Sequence, residues 1–128
     1  MASRIALGKG FTLIELLVVM TILSLLLTLA TPRYFGSVER AKEEILRSDL
    51  ATLRQMVDKY YGETGQYPAE LNDLVTHRYL RAIPEDPMTG SATTWVLVPP
   101  EDPQQGAIYD VKSGAPGKAR DGTAYAQW

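Results

Sequence analysis

The sequence predicts an α+β fold: one long N-terminal helix, membrane-length in its first half and amphipathic in its second, packed on a small antiparallel β-sheet. Three observations carry this prediction. Residues 11–30 are apolar almost throughout and hold a single charged side chain, Glu15. Between Val38 and Tyr60 the apolar residues recur at three- and four-residue steps, the period of a helix with one buried face. Most of the 10 glycines and 8 prolines fall in the second half, where they punctuate short β-like stretches.

Taken in order, residues 1–10 form a leading segment that carries Arg4 and Lys9. Bases before an apolar run orient the leading end toward the cytoplasm and the rest of the chain away from it. The apolar run that follows would span about 30 Å as a helix, roughly a bilayer core. A cleaved signal peptide starts in a similar way, and Leu29-Ala30-Thr31-Pro32 is a fair match to its cleavage pattern. The run is long for a signal core, however, and an acid inside it weakens a signal while giving nothing to a plain anchor. A carboxylate in that setting is costly and marks a functional position.

Residues 32–128 make the second part. Pro32 has no N–H to donate, so a kink or local melting is expected there, with Gly36 softening the same stretch. Val38, Ala41 and Ile45 share one face, continued by Leu46, Leu50, Leu53, Val57 and Tyr60. The charged residues between them make a solvated face, and the second half of the chain is expected to cover the stripe. Gly62 and Gly65 are expected to end the helix. Residues 69–80 predict a short helix on Leu71, Leu74, Val75 and Leu80, and residues 83–90 a turn cluster. Residues 94–98 and 107–111 predict strands joined by a polar, proline-rich loop. The stretch 112–128 is Gly-rich, with Tyr125 and Trp128 as apolar anchors.

Composition excludes several classes. With 13 basic and 15 acidic residues the net charge is -2, which gives no basic face for nucleic acid. There is no cysteine and one histidine, so thiol catalysis, disulfides and Cys/His zinc sites are excluded. His77 has no evident catalytic partner and reads as a surface residue. Glu85-Asp86 and Glu101-Asp102 each precede a proline and read as acids in solvated turns. No phosphate-cradling loop and no acid–base pair in a pocket is evident, so the chain is not read as an enzyme.

The run Gly10-Phe11-Thr12-Leu13-Ile14-Glu15-Leu16, followed by the apolar stretch and Pro32, resembles the leader junction of type IV pilins and type II secretion pseudopilins. Tyr67-Pro68, Tyr79-Leu80 and Ile83-Pro84-Glu85-Asp86-Pro87 are similar to the G-type major pseudopilins, and the absence of the disulfide that closes many pilins shifts weight the same way. The resemblance implies a type IV pilin-like fold, with residues 1–10 a leader removed by a prepilin peptidase and residues 11–31 a transmembrane and filament-core helix. It implies cleavage between Gly10 and Phe11 and N-methylation of Phe11. It also implies a single-pass protein of the bacterial inner membrane with a periplasmic domain. From lipid it would polymerise with itself and other pseudopilins, driven by an inner-membrane platform with its ATPase, to support export across the outer membrane. A type IV pilin for adhesion, motility or DNA uptake, and an anchored periplasmic binding module that never polymerises, remain the alternative readings.

Cleavage would expose a cationic amine on Phe11, one helical turn before Glu15. The pair could form within one subunit or between neighbours in a filament core, and either offsets the burial of a carboxylate; the resemblance favours the pairing between subunits. It further implies a calcium ion on a C-terminal loop, for which Asp110, Ser113 and Asp121 are the candidate ligands, since oxygen donors on Gly-rich loops suit that ion. The family loop is richer in aspartate, and Pro116 stands about where one is often found. The reading of Asp110 and Asp121 as turn and cap residues stays open beside it.

Overall fold

The computed structural model describes residues 10–128. Arg4 and Lys9, on which the orientation of the leading end rests, lie outside the described residues. The chain divides into two compact units, one up to Val38 and one of Glu39–Trp128.

A single helix, α1, runs Leu13–Thr64. In the first unit it is long and apolar enough to cross a membrane, and the large apolar side chains of residues 11–29 are 49–79% exposed. Helix assignment continues through Pro32, so the local melting that its missing N–H allows does not occur. One lost bond in a ladder with intact neighbours above and below is not enough to unwind the helix. Thr21, Ser24, Thr28 and Thr31 each donate their hydroxyl to the carbonyl four residues back, at 2.7–2.8 Å.

In the second unit α1 buries Leu46, Leu50, Leu53 and Val57, four positions of the expected stripe. Each such burial contributes about 1.5–3 kcal/mol relative to exposure. Tyr60 packs against this core from its edge. The stripe is covered only from Leu46 on: Ala41 is exposed and Ile45 is half-exposed, because no segment packs over them in the single chain. The helix passes through Gly62 and ends at Thr64, before Gly65, the second of the two expected glycines. Gly65, at φ 75, supplies the left-handed residue, and its N–H caps the Tyr61 carbonyl at 2.8 Å.

Helix α2 is Asp73–Thr76, shorter than the stretch 69–80. The Asp73 carboxylate turns back to accept from the N–H groups of Ala69 and Glu70, both at 3.0 Å, and holds those residues in a turn. His77 is exposed and meets Tyr60 edge-on. Strands β1, Val96–Val98, and β2, Asp110–Lys112, pair antiparallel with Leu97 opposite Val111. Both are shorter than expected, and β2 starts three residues late. Ala107 and Ile108 direct their N–H groups to the Pro68 carbonyl instead, at 3.3 and 3.0 Å. Gly106, at φ 128, permits this: a Cβ there would lie 2.3 Å from the Tyr67 carbonyl oxygen. Leu71, Leu74, Trp95, Ile108, Val111 and Tyr125 complete the core over α1, and the Trp95 indole donates to the Pro84 carbonyl at 2.8 Å.

Asp86 does not sit in a solvated turn. It is fully buried, and so is Ser113, whose hydroxyl donates to the Asp86 Oδ2 at 2.5 Å. The Met88 N–H donates to Oδ1 at 2.8 Å. The carboxylate thus ties the turn after Pro84 to the segment after β2. Glu85, Glu101 and Asp102 are exposed, as expected of turn acids.

Burial, and after it the charge of Asp86, hold the Asp49 carboxyl above its ordinary value. The fold therefore disfavours ionised Asp49. That penalty is absent below the ordinary carboxylate pKa of about 3.9 and sets in as pH rises through the folded-state value. Asp49→Asn is expected to raise Tm at pH 7, with a gain that shrinks toward pH 3. Melts of both proteins across that range check it, and a gain independent of pH would remove the electrostatic cause.

Candidate cleavage, assembly and cation sites

The start of α1 is built by four residues. Gly10 is an exposed bend, and Phe11 is 79% exposed and precedes the helix. Phe11 and Glu15 are therefore not on one continuous helical turn. Thr12 stands at the N-cap. Its hydroxyl oxygen accepts the Glu15 N–H at 3.2 Å, and its carbonyl accepts from the Leu16 N–H at 3.2 Å. Thr12-Leu13-Ile14-Glu15 is the capping-box pattern, a hydroxyl residue followed three positions on by a glutamate. The cap is thus written into the start of the apolar run itself. The same position gives Glu15 a second physical basis. It lies in the first turn, where the unpaired N–H groups and the helix dipole favour a negative charge. Among the described residues its carboxylate has no hydrogen-bond or ion-pair partner.

Further along, the hydroxyls of Thr21, Ser24, Thr28 and Thr31 share one face by their three- and four-residue steps, and Glu15 falls on another.

The three candidate calcium ligands have three separate tasks. Asp110 Oδ1 receives the Arg54 Nε at 2.8 Å in a half-buried ion pair, and also the Val111 N–H at 2.8 Å. The Ser113 hydroxyl serves Asp86, and its oxygen accepts the Ala115 N–H at 3.1 Å. Asp121 caps its own turn, accepting from the Thr123 N–H at 3.0 Å and hydroxyl at 2.6 Å, and meets Arg47 at 3.4 Å. The Thr123 hydroxyl, then its N–H, hold the Asp121 carboxyl below its ordinary value. No cluster of three or more His, Cys, Asp or Glu able to hold a metal occurs among the described residues. As placed, Asp110, Ser113 and Asp121 do not fit a calcium cage. In the sequence Arg47 and Arg54 are two of many charges on a solvated face and Asp86 is a turn acid, because the partner that gives each its task lies far along the chain.

Comparison with known proteins bears on the N-terminal segment and on the whole chain. Residues 8–31 match the family model described as the prokaryotic N-terminal methylation motif. The chain is 30% identical over 125 residues to the type II secretion system core protein G of Klebsiella michiganensis, covering 85% of this chain and 84% of that one. The protein of the same name from Dickeya chrysanthemi is 29% identical over 110 residues, 86% and 72% of the two chains. That of Escherichia coli K12 is 29% identical over 124 residues, 84% and 81%. No solved structure matches. An exposed apolar helix that opens on a methylation motif, an α+β domain on its second half, and this likeness along most of the chain place it: the chain belongs to the type II secretion system core protein G family.

Proposed function

We propose that the chain is a structural subunit of a type II secretion pseudopilus. It waits in the inner membrane as a single-pass protein, its leading end in the cytoplasm and its second unit in the periplasm. A prepilin peptidase cuts between Gly10 and Phe11 and methylates the new terminus. The subunit then leaves lipid and polymerises with itself and other pseudopilins, driven by an inner-membrane platform and its ATPase. One observation carries this reading: the large apolar side chains of residues 11–29 stand 49–79% exposed on a helix whose single acid, Glu15, lies in the first turn. A helix of that kind needs lipid or other helices around it, and its carboxylate, once buried, needs a cation. Relatives named as core proteins of a secretion system support the same role.

The mature N-terminus tests the reading. Mass spectrometry of the protein from its native membrane is expected to find N-methylated Phe11, whereas an intact Met1 or a cut near Ala30 would overturn it. Cysteines introduced along residues 11–30 are expected to cross-link into ladders. Products no larger than dimers would leave an anchored module as the better account.

A further inference from the structure

We infer that guanidinium groups of α1 hold the C-terminal segment of this chain by occupying the oxygens that a calcium ion would need. Arg54 is the centre of the arrangement. Its Nε donates to Asp110 Oδ1 at 2.8 Å, and its Nη2 donates to the Val111 carbonyl at 3.1 Å and to the Trp128 main-chain oxygen at 2.5 Å. One carboxylate and two main-chain oxygens are the donor types that a hard divalent cation collects. Here they surround a planar cation that meets each of them with a directed N–H.

Arg47 lies two turns earlier on the same helix face. It bonds Asp121 Oδ2 at 3.4 Å, and its Cζ stands 4.3 Å over the Trp128 ring. One turn earlier again, Glu43 Oε1 accepts the Arg120 N–H at 3.0 Å and the Tyr125 hydroxyl at 3.1 Å. Glu43, Arg47 and Arg54 thus form a row along α1 that fastens residues 110–128 at successive points. A calcium ion on Asp110 would have to expel Arg54 or sit against its positive charge. The third expected ligand, Ser113, is turned to Asp86. The segment is therefore fastened by directed side-chain bonds from α1 that need no metal.

The test uses the full chain in detergent micelles, with calcium itself as the probe. Tm in excess EDTA and in 10 mM calcium chloride is expected to agree within about 1 °C, where a site holding the segment would shift it by roughly 5–10 °C. A drop on chelation that calcium reverses would overturn the inference. Arg54→Met is expected to speed amide exchange across residues 110–128 by about tenfold or more, while the amides around Leu50 and Leu53 stay protected. Unchanged exchange would also overturn it. Arg54→Lys keeps the charge but loses the fork, and remains informative if the Met variant does not fold. Exchange faster than wild type in Arg54→Lys supports the inference, and wild-type exchange counts against it.

Discussion

Glu15→Ala is expected to leave the chain inserted, cleaved and methylated, and to cut filament yield at least about tenfold, a loss of ~1.4 kcal/mol or more in subunit addition. The reason is the position of the carboxylate. It lies in the first turn of an apolar helix and has no partner among the described residues. In a filament core it would be buried, and a buried carboxylate needs a cation. Under the proposed function, cleavage before Phe11 frees an amine that is such a cation. Because Thr12 accepts the Glu15 N–H and Glu15 stands at the glutamate position of a capping-box pattern, a role at the helix start must be told apart from the role of the charge. Glu15→Gln does this: glutamine serves equally at that position of the box but carries no charge. Filament yield in Glu15→Gln is expected to fall as far as in Glu15→Ala. Recovery to wild-type yield would make Glu15 a capping residue and remove its role in assembly. Pull-down of filaments after shearing, with membrane content and mature mass as controls, reads both variants.

Asp86→Ala is expected to lower the stability of the second unit by about 2–4 kcal/mol and its Tm by roughly 10–20 °C. The side chain is fully buried and receives the Ser113 hydroxyl and the Met88 N–H. Removing it strands the buried Ser113 hydroxyl and the half-buried Met88 N–H and separates the turn after Pro84 from the segment after β2. Asp86→Asn keeps one acceptor and is expected to fall between wild type and alanine. Thermal melts of the three proteins at pH 7 decide the matter. Equal Tm for Asp86→Ala and wild type would mean that the turn is held by its backbone bonds alone, from Thr89 and Gly90 to the Asp86 carbonyl.

What was legible in the sequence was local. The apolar run, the stripe from Leu46 to Val57 and the helix end at Gly65 follow from periodicity and capping over a few residues, and the structure has them. The strands were found in place but too long, because strand ends depend on pairing partners. Ile108 spends its N–H on the Pro68 carbonyl across a loop, which no local pattern announces. Asp86 read as a turn acid because Asp-Pro is a turn signal. Its burial depends on Ser113, 27 residues away. Arg54 looked like one of many charges on a solvated face, and only its meeting with Asp110, 56 residues on, gives it a task. Thr12 is the reverse case: its cap bond spans three residues and is legible in the sequence, though it lies inside an otherwise apolar run.

The hydroxyls of Thr21, Ser24, Thr28 and Thr31 have a consequence for how such a helix can change surroundings. Each is already satisfied by a carbonyl of its own helix. Moving the segment from a bilayer to a bundle, or back, makes and breaks no polar bond at those four positions. At those four positions the helix carries no polar cost of its own in either setting. Direction must then come from the one group that is not self-sufficient. Among the polar groups of that stretch, the carboxylate of Glu15 is the one whose partner the surroundings would have to supply.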